Sequence, residues 1–171
     1  HPTKGAFFTR GTARDEFARY TEDGAAYKRV VDRILKKWET AKSYVPEPTA
    51  YQSENTSKTG VIFFGTTTYS ALEASDQLQE EGIQLDLMRI SAFPFNSEVE
   101  AFIESHEQVF VIEQNRDAQF RSLLINELDL KPSKLIKVLN YDGMPITADK
   151  IRNEIMTAPI FSKKVEIKEV L

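Results

Sequence analysis

A short apolar run, Val61 to Phe64, lies between Gly60 and Gly65 near the middle of the chain. Hydroxyl residues 66–68 and then a helical pattern follow it. An apolar run of this length bounded by glycine is typical of a strand buried on both faces. The turn at the carboxyl end of such a strand is where open α/β sheets bind ligands. We therefore predict an α/β sheet centred on this strand, with functional side chains near residues 66–68.

The pattern after this strand alternates regularly between helical and extended periods. It predicts strands at 83–90, 108–112 and 134–139 and helices at 70–82, 97–103, 118–128 and from Thr147 onward. Ser70 with Glu73 and Ser97 with Glu100 have the spacing of capping boxes. Each interval between strands is long enough for a helical crossover, which makes neighbouring strands parallel. The expected fold is a three-layer α/β/α sandwich.

A second apolar pattern precedes the sheet. Seven residues follow the i, i+3, i+4, i+7 spacing of one helix face, and basic residues occupy the other faces: Tyr27, Val30, Val31, Ile34, Leu35, Trp38 and Ala41. The width of this stripe favours packing in a globular domain over membrane or nucleic-acid binding. We expect Pro46 and Pro48 to end the helix, residues 49–52 to form a short edge strand and residues 52–59 to be a linker.

The two ends of the chain are less regular. The first 24 residues show no sustained period, yet Phe7, Phe8, Phe17 and Tyr20 are apolar anchors among charges. Such a segment lies on another surface, either of this domain or of a larger parent protein, and the start at His1-Pro2 suggests a piece of a longer chain. Residues 164–171 alternate apolar and polar positions, which fits an edge strand or an extended tail.

The amino-acid composition excludes several kinds of functional site. The chain of 171 residues is 41% hydrophobic and has no cysteine, which excludes disulfides, thiolate nucleophiles, Cys-bound zinc and iron–sulfur clusters. His1 and His106 are too far apart in sequence to suggest a histidine metal site or a catalytic triad, and we expect His106 on the surface. With no apolar run of about 20 residues and no leader pattern, we expect a soluble, cytoplasmic protein without membrane contact.

Charge is unevenly divided. The net charge of −4 argues against nucleic-acid binding. Residues 1–45 hold 10 Lys/Arg and 6 Asp/Glu, and residues 46–171 hold 12 and 20, so the two parts carry +4 and −8. The basic first part contains the amphipathic helix, and the acidic second part contains the predicted sheet.

Candidate functional residues follow two of the predicted strands. Thr66, Thr67 and Thr68 offer hydroxyls and backbone N–H groups at a helix N-terminus, which fits an anion cradle or simple helix capping. Glu113 and Asn115 follow strand 108–112 and, if that strand lies next to the central one, face the threonines. Glu113 could then accept hydrogen bonds from N–H groups around Thr67. Alternatively, Asn115 or Asp117 caps the next helix.

A third loop follows the last core strand. Tyr141, Asp142 and Gly143 come before Met-Pro, and Asp-Gly marks a tight turn. Because carboxyl ends of parallel strands share one edge, this loop should join residues 66–68 and 113–115 in one rim that contacts a ligand or another domain.

Ordered motifs along almost the whole chain resemble one family. They are Lys4-Gly5-Ala6-Phe7-Phe8-Thr9-Arg10-Gly11-Thr12, Asp15-Glu16, Arg19-Tyr20-Thr21-Glu22-Asp23, Lys37-Trp38-Glu39-Thr40-Ala41, Phe63-Phe64-Gly65-Thr66-Thr67, Glu113-Gln114-Asn115 and Tyr141-Asp142-Gly143-Met144-Pro145. The chain is similar to the alpha subunit of 2-oxoacid:ferredoxin oxidoreductases of the 2-oxoglutarate ferredoxin oxidoreductase type. It departs from the family at Ala13 and Arg14, where the family has Gly and His.

The resemblance implies a non-catalytic role for this part. The enzymes use thiamine diphosphate with Mg²⁺, iron–sulfur clusters and coenzyme A to convert a 2-oxoacid oxidatively into an acyl-CoA, and they pass electrons to ferredoxin. The family's Gly-Asp-Gly motif for the diphosphate is absent, as are cysteines. We therefore expect no catalytic, cofactor or metal residue here, and we expect the pyrimidine-binding domain of the same subunit and a beta subunit as partners.

The resemblance also implies the domain bounds and a strand order. Residues 1–45 correspond to an interdomain segment with the amphipathic helix, and residues 46–171 correspond to a transketolase C-terminal-like α/β domain. Transketolase C-terminal-like domains have five strands in the order 1-3-2-4-5 with the first antiparallel, which puts the strand before Gly65 in the middle. A second interpretation, an independent flavodoxin-like module that binds flavin or another anion, depends on the threonine-rich turn alone.

Overall fold

The computed structural model describes residues 11–52 and 57–161. The chain divides into two compact units, His1–Tyr44 and Val45–Leu171. The predictions for Phe7, Phe8 and residues 164–171 lie outside the described residues.

The first unit contains helix α1, Gly24–Ala41. The carboxylate of Asp23 caps it by accepting hydrogen bonds from the N–H groups of Ala25 and Ala26 at 3.0 and 3.2 Å. The helix ends at Ala41, several residues before the proline pair expected to stop it. Before α1, the carboxylate of Asp15 accepts hydrogen bonds from the N–H groups of Phe17 and Arg19 and shapes a turn.

The apolar face of α1 is covered in part, since Val30, Val31 and Ala41 are half-buried. Tyr27, Ile34, Leu35 and Trp38 are all exposed, whereas Ala26 is the buried residue of the helix. The pattern correctly predicts an amphipathic helix. The spacing of the apolar residues cannot show whether the surface that packs on them belongs to the same chain.

In the second unit the described strands form one five-stranded sheet. They are β1 Thr49–Tyr51, β2 Thr59–Phe64, β3 Asp86–Ile90, β4 Gln108–Glu113 and β5 Leu135–Leu139. Their order is β1-β3-β2-β4-β5, with β1 antiparallel to β3 and the other pairs parallel. In the register, Val61 lies beside Leu87 and Phe110. The predicted fold class, strand order and central position of β2 are confirmed.

Four helices cover the two faces of the sheet. They are α2 Thr68–Glu80, α3 Ser97–Ser105, α4 Gln119–Glu127 and α5 Ala148–Met156. Val61, Phe63 and Phe110 pack against α2 and α5 in one core. On the other face, Ile62 and Val109 pack against α3 and α4. This gives the three layers that the sequence predicted.

The capping predictions were right for one helix and wrong for two. Thr147 caps α5 by accepting a hydrogen bond from Lys150 N at 3.2 Å. At α2, a 3₁₀ turn Gly65–Thr67 leads directly from β2 into the helix, so the helix begins before Ser70. Ser70 Oγ instead donates to Ile146 O at 2.8 Å. At α3, the capping position is Asn96, and its side chain makes no capping bond.

The end of β2 and the end of α3 also differ from expectation. Phe63 is fully buried, but Phe64 is 38% exposed because it is the last residue of its strand, beyond most of the helical cover. His106, expected on the surface, is only 5% exposed. A side chain on Gly60 would lie 2.9 Å from the Phe102 ring and 3.1 Å from the His106 ring, so glycine makes room for both rings.

Candidate functional site

The carboxyl ends of the parallel strands β2, β3, β4 and β5 meet along one edge of the sheet. We call this edge the carboxyl rim and define it as residues 64–69, 91–95, 113–117 and 140–146. It includes all the candidate residues from the sequence: Thr66, Thr67, Thr68, Glu113, Asn115, Tyr141, Asp142 and Gly143.

Gln114 connects three parts of the rim. Its Nε2 donates to the Oγ1 atoms of Thr66 and Thr67, each at 3.2 Å. Its Oε1 accepts from Ile146 N at 3.2 Å. The loops after β2, β4 and β5 are therefore joined by one amide side chain that sequence reasoning did not select.

Strand parity could have identified Gln114. Phe110 and Ile112 of β4 point to the core beneath α2 and α5, whereas Val109 and Val111 point to the opposite core. Continued alternation places residue 114 on the side of the threonines and of Ile146.

Glu113 is fully buried and faces the other way. Its Oε2 accepts from Phe120 N at 2.8 Å and from Asn115 Nδ2 at 2.6 Å, and its Oε1 accepts from Arg121 N at 3.1 Å. These donors include two first-turn amides of α4, which would otherwise lack partners, and the helix dipole favours a carboxylate there. The expected bonds to N–H groups around Thr67 are not formed.

Asn115 organises the loop between β4 and α4. Its Oδ1 accepts from Asp117 N at 3.1 Å and from Gln119 N at 3.2 Å. Ala118, with φ of 52°, makes the left-handed turn that starts the helix. Both polar groups of Asn115 are thus engaged within the loop, one on Glu113 and one on backbone amides.

The threonine hydroxyls also have partners within the protein. Thr68 Oγ1 donates to Gly65 O at 2.8 Å, and Thr67 and Thr68 are buried. Gln114 holds the other two hydroxyls. The Thr68 hydroxyl thus stabilises the turn between β2 and α2, and the Thr66 and Thr67 hydroxyls connect that turn to the loop after β4.

The loop after β5 is stabilised around Asn140. This buried side chain donates to Asp142 Oδ1 and Met144 O at 3.2 and 2.7 Å and accepts from Lys150 Nζ at 2.8 Å. Asp142 Oδ1 also accepts from Met144 N, and this bond holds the pKa of the Asp142 carboxyl below its ordinary value. Gly143, with φ of 87°, makes the tight turn.

Exposed aromatic and apolar side chains distinguish the rim from the rest of the sheet. In the described part of the second unit, the exposed large hydrophobic residues all lie in the rim: Phe64, Tyr69, Phe93, Tyr141 and Met144. Two of these rings, Phe93 and Phe64, are the ends of a row of ring contacts that runs through buried Phe95 and half-buried Phe120, with centroid distances of 5.1, 5.9 and 4.7 Å along the row. Clustered exposure of this kind is typical of a contact surface for another protein domain.

A metal site needs several ligands close together, and a membrane span needs a long apolar helix. Within residues 11–52 and 57–161, the structure brings together no group of three or more histidine, aspartate or glutamate side chains that could hold a metal ion. Across the same described ranges, every helix is too short or too polar to cross a bilayer.

Curated relatives of the chain share a common description. No family model matches the chain. It is 25% identical over 149 residues to 2-oxoacid:ferredoxin oxidoreductase 2, subunit alpha, of Aeropyrum pernix, and 25% identical over 150 residues to the 2-oxoacid:ferredoxin oxidoreductase subunit alpha of Saccharolobus solfataricus. Each match covers 85% of this chain and 23% of the relative. The chain therefore spans less than a quarter of the length of these relatives.

Solved structures show the same fold. A 2-oxoglutarate:ferredoxin oxidoreductase from Magnetococcus marinus, with 2-oxoglutarate, coenzyme A and succinyl-CoA bound, matches with a TM-score of 0.75 and 20% identity over 90% of this chain and 27% of that one. A split-gene transketolase, described as an inactive beta4 tetramer, matches with a TM-score of 0.55 and 20% identity over 67% of this chain and 42% of that one. The resemblance of the sequence motifs to alpha subunits of 2-oxoacid:ferredoxin oxidoreductases is thus confirmed, and the chain is a relative of one segment of such a subunit.

Proposed function

We propose that this chain is the C-terminal, non-catalytic domain of the alpha subunit of a thiamine-diphosphate-dependent 2-oxoacid:ferredoxin oxidoreductase. The complete enzyme would convert a 2-oxoacid and coenzyme A into an acyl-CoA and carbon dioxide and would pass the released electrons to ferredoxin. The relatives named as alpha subunits support this role. The ligands of the Magnetococcus marinus structure favour 2-oxoglutarate as the substrate.

The described residues do not fit the cofactors of that reaction. Within the described ranges no three or more histidine, aspartate or glutamate side chains are placed to hold a metal ion, and the sequence has no cysteine to bind an iron–sulfur cluster. Glu113, the buried carboxylate of the rim, is already bound by two amides of α4 and by Asn115. We therefore assign thiamine diphosphate, Mg²⁺ and the iron–sulfur cluster to other parts of the enzyme.

The role we assign to this domain is assembly, with the carboxyl rim as its contact to another domain of the same enzyme. The observation that carries this proposal is the location of every exposed large hydrophobic residue of the described α/β unit in the rim. Candidate partners are the pyrimidine-binding domain of the same subunit and the beta subunit. Contact there would also shape the region where substrate or coenzyme A binds.

A matched pair of tyrosines tests the rim. Tyr69 lies in the rim and Tyr44 lies in the other unit, and both are 83% exposed. In the complete enzyme we expect Tyr69→Ser, combined with Tyr141→Ser, to weaken subunit assembly by about tenfold or to reduce turnover similarly. Tyr44→Ser should change neither quantity.

The measurements are sedimentation of the complete enzyme across a concentration series and ferredoxin reduction that depends on a 2-oxoacid. Unchanged assembly and turnover in the Tyr69 and Tyr141 variant would refute the role of the rim. A complete enzyme that forms no acyl-CoA from any 2-oxoacid would refute the reaction. The chain of 171 residues alone should show neither oxidoreductase activity nor affinity for thiamine diphosphate.

A further inference from the structure

Arg89 is a charged side chain close to the carboxyl rim that the proposed role of the rim does not use. It is the last residue but one of β3, and in the sheet it lies between Phe63 of β2 and Thr49 of β1. Along β3, Leu87 belongs to the core beneath α2 and α5, whereas Ile90 belongs to the opposite core. Strand parity therefore places Arg89 on the α2 side of the sheet, one residue before the strand ends at the rim.

The guanidinium of Arg89 has a buried donor that the described chain does not satisfy. Its Nε is buried and has no hydrogen-bond partner among residues 11–52 and 57–161. None of the ion pairs within these ranges includes Arg89. The residue as a whole is half-buried, so part of it reaches the surface. A buried donor of a charged group without an acceptor is unfavourable, and an anion would supply both the acceptor and the opposite charge.

The charged side chains of the rim itself differ from Arg89, because each has a partner within the protein. They are Glu113, Arg116, Asp117 and Asp142. Glu113 is bound by amides of α4, and Arg116 donates to Asp117 at 2.8 and 3.3 Å. Asp142 accepts from a backbone N–H of its own turn at 2.9 Å. Of these five side chains, Arg89 is the one whose charge is left for an anion from outside the described chain.

We propose that Arg89 binds a carboxylate of the domain that docks on the carboxyl rim. This inference rests on the proposed function, because it takes the rim as the contact surface. Arg89 and the exposed Tyr69 of α2 lie on the same side of the sheet. Arginine and tyrosine are the residue types that contribute most often to the affinity of interfaces. A guanidinium binds a carboxylate through two parallel hydrogen bonds, which adds orientation to affinity.

Arg89→Met separates this role from a structural one. Methionine keeps an unbranched apolar stem but has no charge and no N–H donor. In the chain of 171 residues we expect Tm to stay the same or to rise, because the variant removes a buried donor without an acceptor. In the complete enzyme we expect subunit assembly, measured by sedimentation, to weaken by about tenfold. A clear fall of Tm in the chain, or its failure to fold, would show that Arg89 stabilises this domain and would overturn the proposal.

Two further variants sharpen the measurement of assembly. Arg33→Met makes the same substitution at an exposed arginine of the other unit and should change assembly by less than about twofold. Arg89→Lys keeps the charge without the paired donors, so its assembly should lie between that of the parent and that of Arg89→Met. If Arg89→Met changes assembly no more than Arg33→Met does, the acceptor of Arg89 is water and the proposal is wrong.

Salt gives an independent readout of the same contact. Raising NaCl from about 0.05 M to about 0.5 M should weaken assembly of the parent enzyme more than that of Arg89→Met, since salt screens an ion pair. An equal salt dependence of the two enzymes would contradict a carboxylate partner.

A phosphate of coenzyme A and the carboxylate of a 2-oxoacid are other sources of an anion. A raised KM for either compound in Arg89→Met, with unchanged assembly, would overturn the proposal in favour of a bound ligand.

The variant with Tyr69→Ser and Tyr141→Ser separates this inference from the proposed function. Weaker assembly in the tyrosine variant with unchanged assembly in Arg89→Met would refute the carboxylate contact alone. Unchanged assembly in both would refute the role of the rim as well. Weaker assembly in Arg89→Met alone would support the carboxylate contact and refute the part assigned to the tyrosines.

Discussion

The amino ends and the carboxyl ends of the parallel strands form two edges of the sheet, and these edges carry different side chains. At the amino edge, the His106 ring lies between Asp86 and the end of α3, with Nε2 at 3.2 Å from Asp86 Oδ2 and Nδ1 at 2.6 Å from Phe102 O. Ser57 N also donates to Asp86 Oδ2. At the carboxyl rim, polar side chains are equally well bonded below the surface, but aromatic rings are exposed above them.

The two edges differ in which side chains they expose to a possible partner. The amino edge buries its polar pair and presents no exposed large hydrophobic residue among the described positions of the α/β unit. The rim uses Glu113, Gln114 and Asn140 to hold its loops and leaves apolar side chains for a partner. We infer that the buried polar pair at the amino edge stabilises the domain, while the carboxyl rim is the edge that can contact another domain.

The largest effect is expected within β2, where adjacent residues lie in the core and at the rim. Phe63→Ala should lower the free energy of unfolding by about 3–5 kcal/mol, because it removes a fully buried ring and leaves a cavity. Phe64→Ala should cost about 1–2 kcal/mol, since its ring is partly exposed and contacts the Phe120 ring at 4.7 Å between centroids. Urea unfolding of the 171-residue chain measures both. Equal losses of unfolding free energy in the two variants would show that Phe64 is as much a core residue as Phe63.

The amino edge should respond next. Asp86→Ala leaves the His106 ring and Ser57 N without their acceptor in a buried site, which should cost about 3 kcal/mol. Asp76→Ala on the exposed side of α2 is the control and should change stability by about 0.5 kcal/mol or less. If thermal and urea unfolding showed similar small losses of stability for both variants, the buried pair would not be an important source of stability at this edge.

Glu113 and Gln114 provide a comparison inside the rim. Glu113→Ala leaves the first-turn amides of α4 and the Asn115 side chain without an acceptor, and we expect a loss of about 2–3 kcal/mol. Gln114→Ala should cost about 1 kcal/mol, because Gln114 and Thr66 are exposed and water can replace part of the lost hydrogen bonding. Unfolding of the chain gives both values. A reversed order would mean that the threonine link, and not the buried cap, determines the stability of the rim.

The smallest effect concerns Asp142. Its folded-state pKa lies below the ordinary value of 3.8, chiefly because the Met144 N–H donates to the carboxylate. The resulting stability is therefore fully present above the unfolded pKa and is lost as the pH falls through the folded pKa. Between about pH 6 and about pH 2.5, Asp142→Asn should show a slightly smaller acid-induced drop in Tm than the parent chain. An identical pH profile for both proteins would contradict this contribution.

Most of the fold could be predicted from the sequence because its signals are periodic and local. The apolar run after Gly60, the alternation of helices and strands, and Thr147 before α5 each predict a feature that the structure contains. The resemblance to the enzyme family added the strand order. Each of these signals can be recognised within one segment of the sequence, without knowing which distant segments contact it.

What could not be predicted depends on contacts between distant segments. His106, at the end of α3, is buried because Gly60 of β2 leaves space for its ring. The start of α2 follows from the 3₁₀ turn after β2, so a capping-box spacing at Ser70 had no helix end to cap. Glu113 was expected to meet the threonines, but strand parity gives that position to Gln114.

The row of rings from Phe93 through Phe95 and Phe120 to Phe64 has a consequence for the entropy of association. Aromatic side chains have few rotatable bonds, and rings that already pack on one another lose little further freedom when a partner covers them. A domain that docks on the exposed rings at its two ends, Phe93 and Phe64, would meet a preformed surface without refolding a loop. Its encounter should therefore proceed at the rates of rigid-body association, about 10⁵–10⁷ M⁻¹s⁻¹.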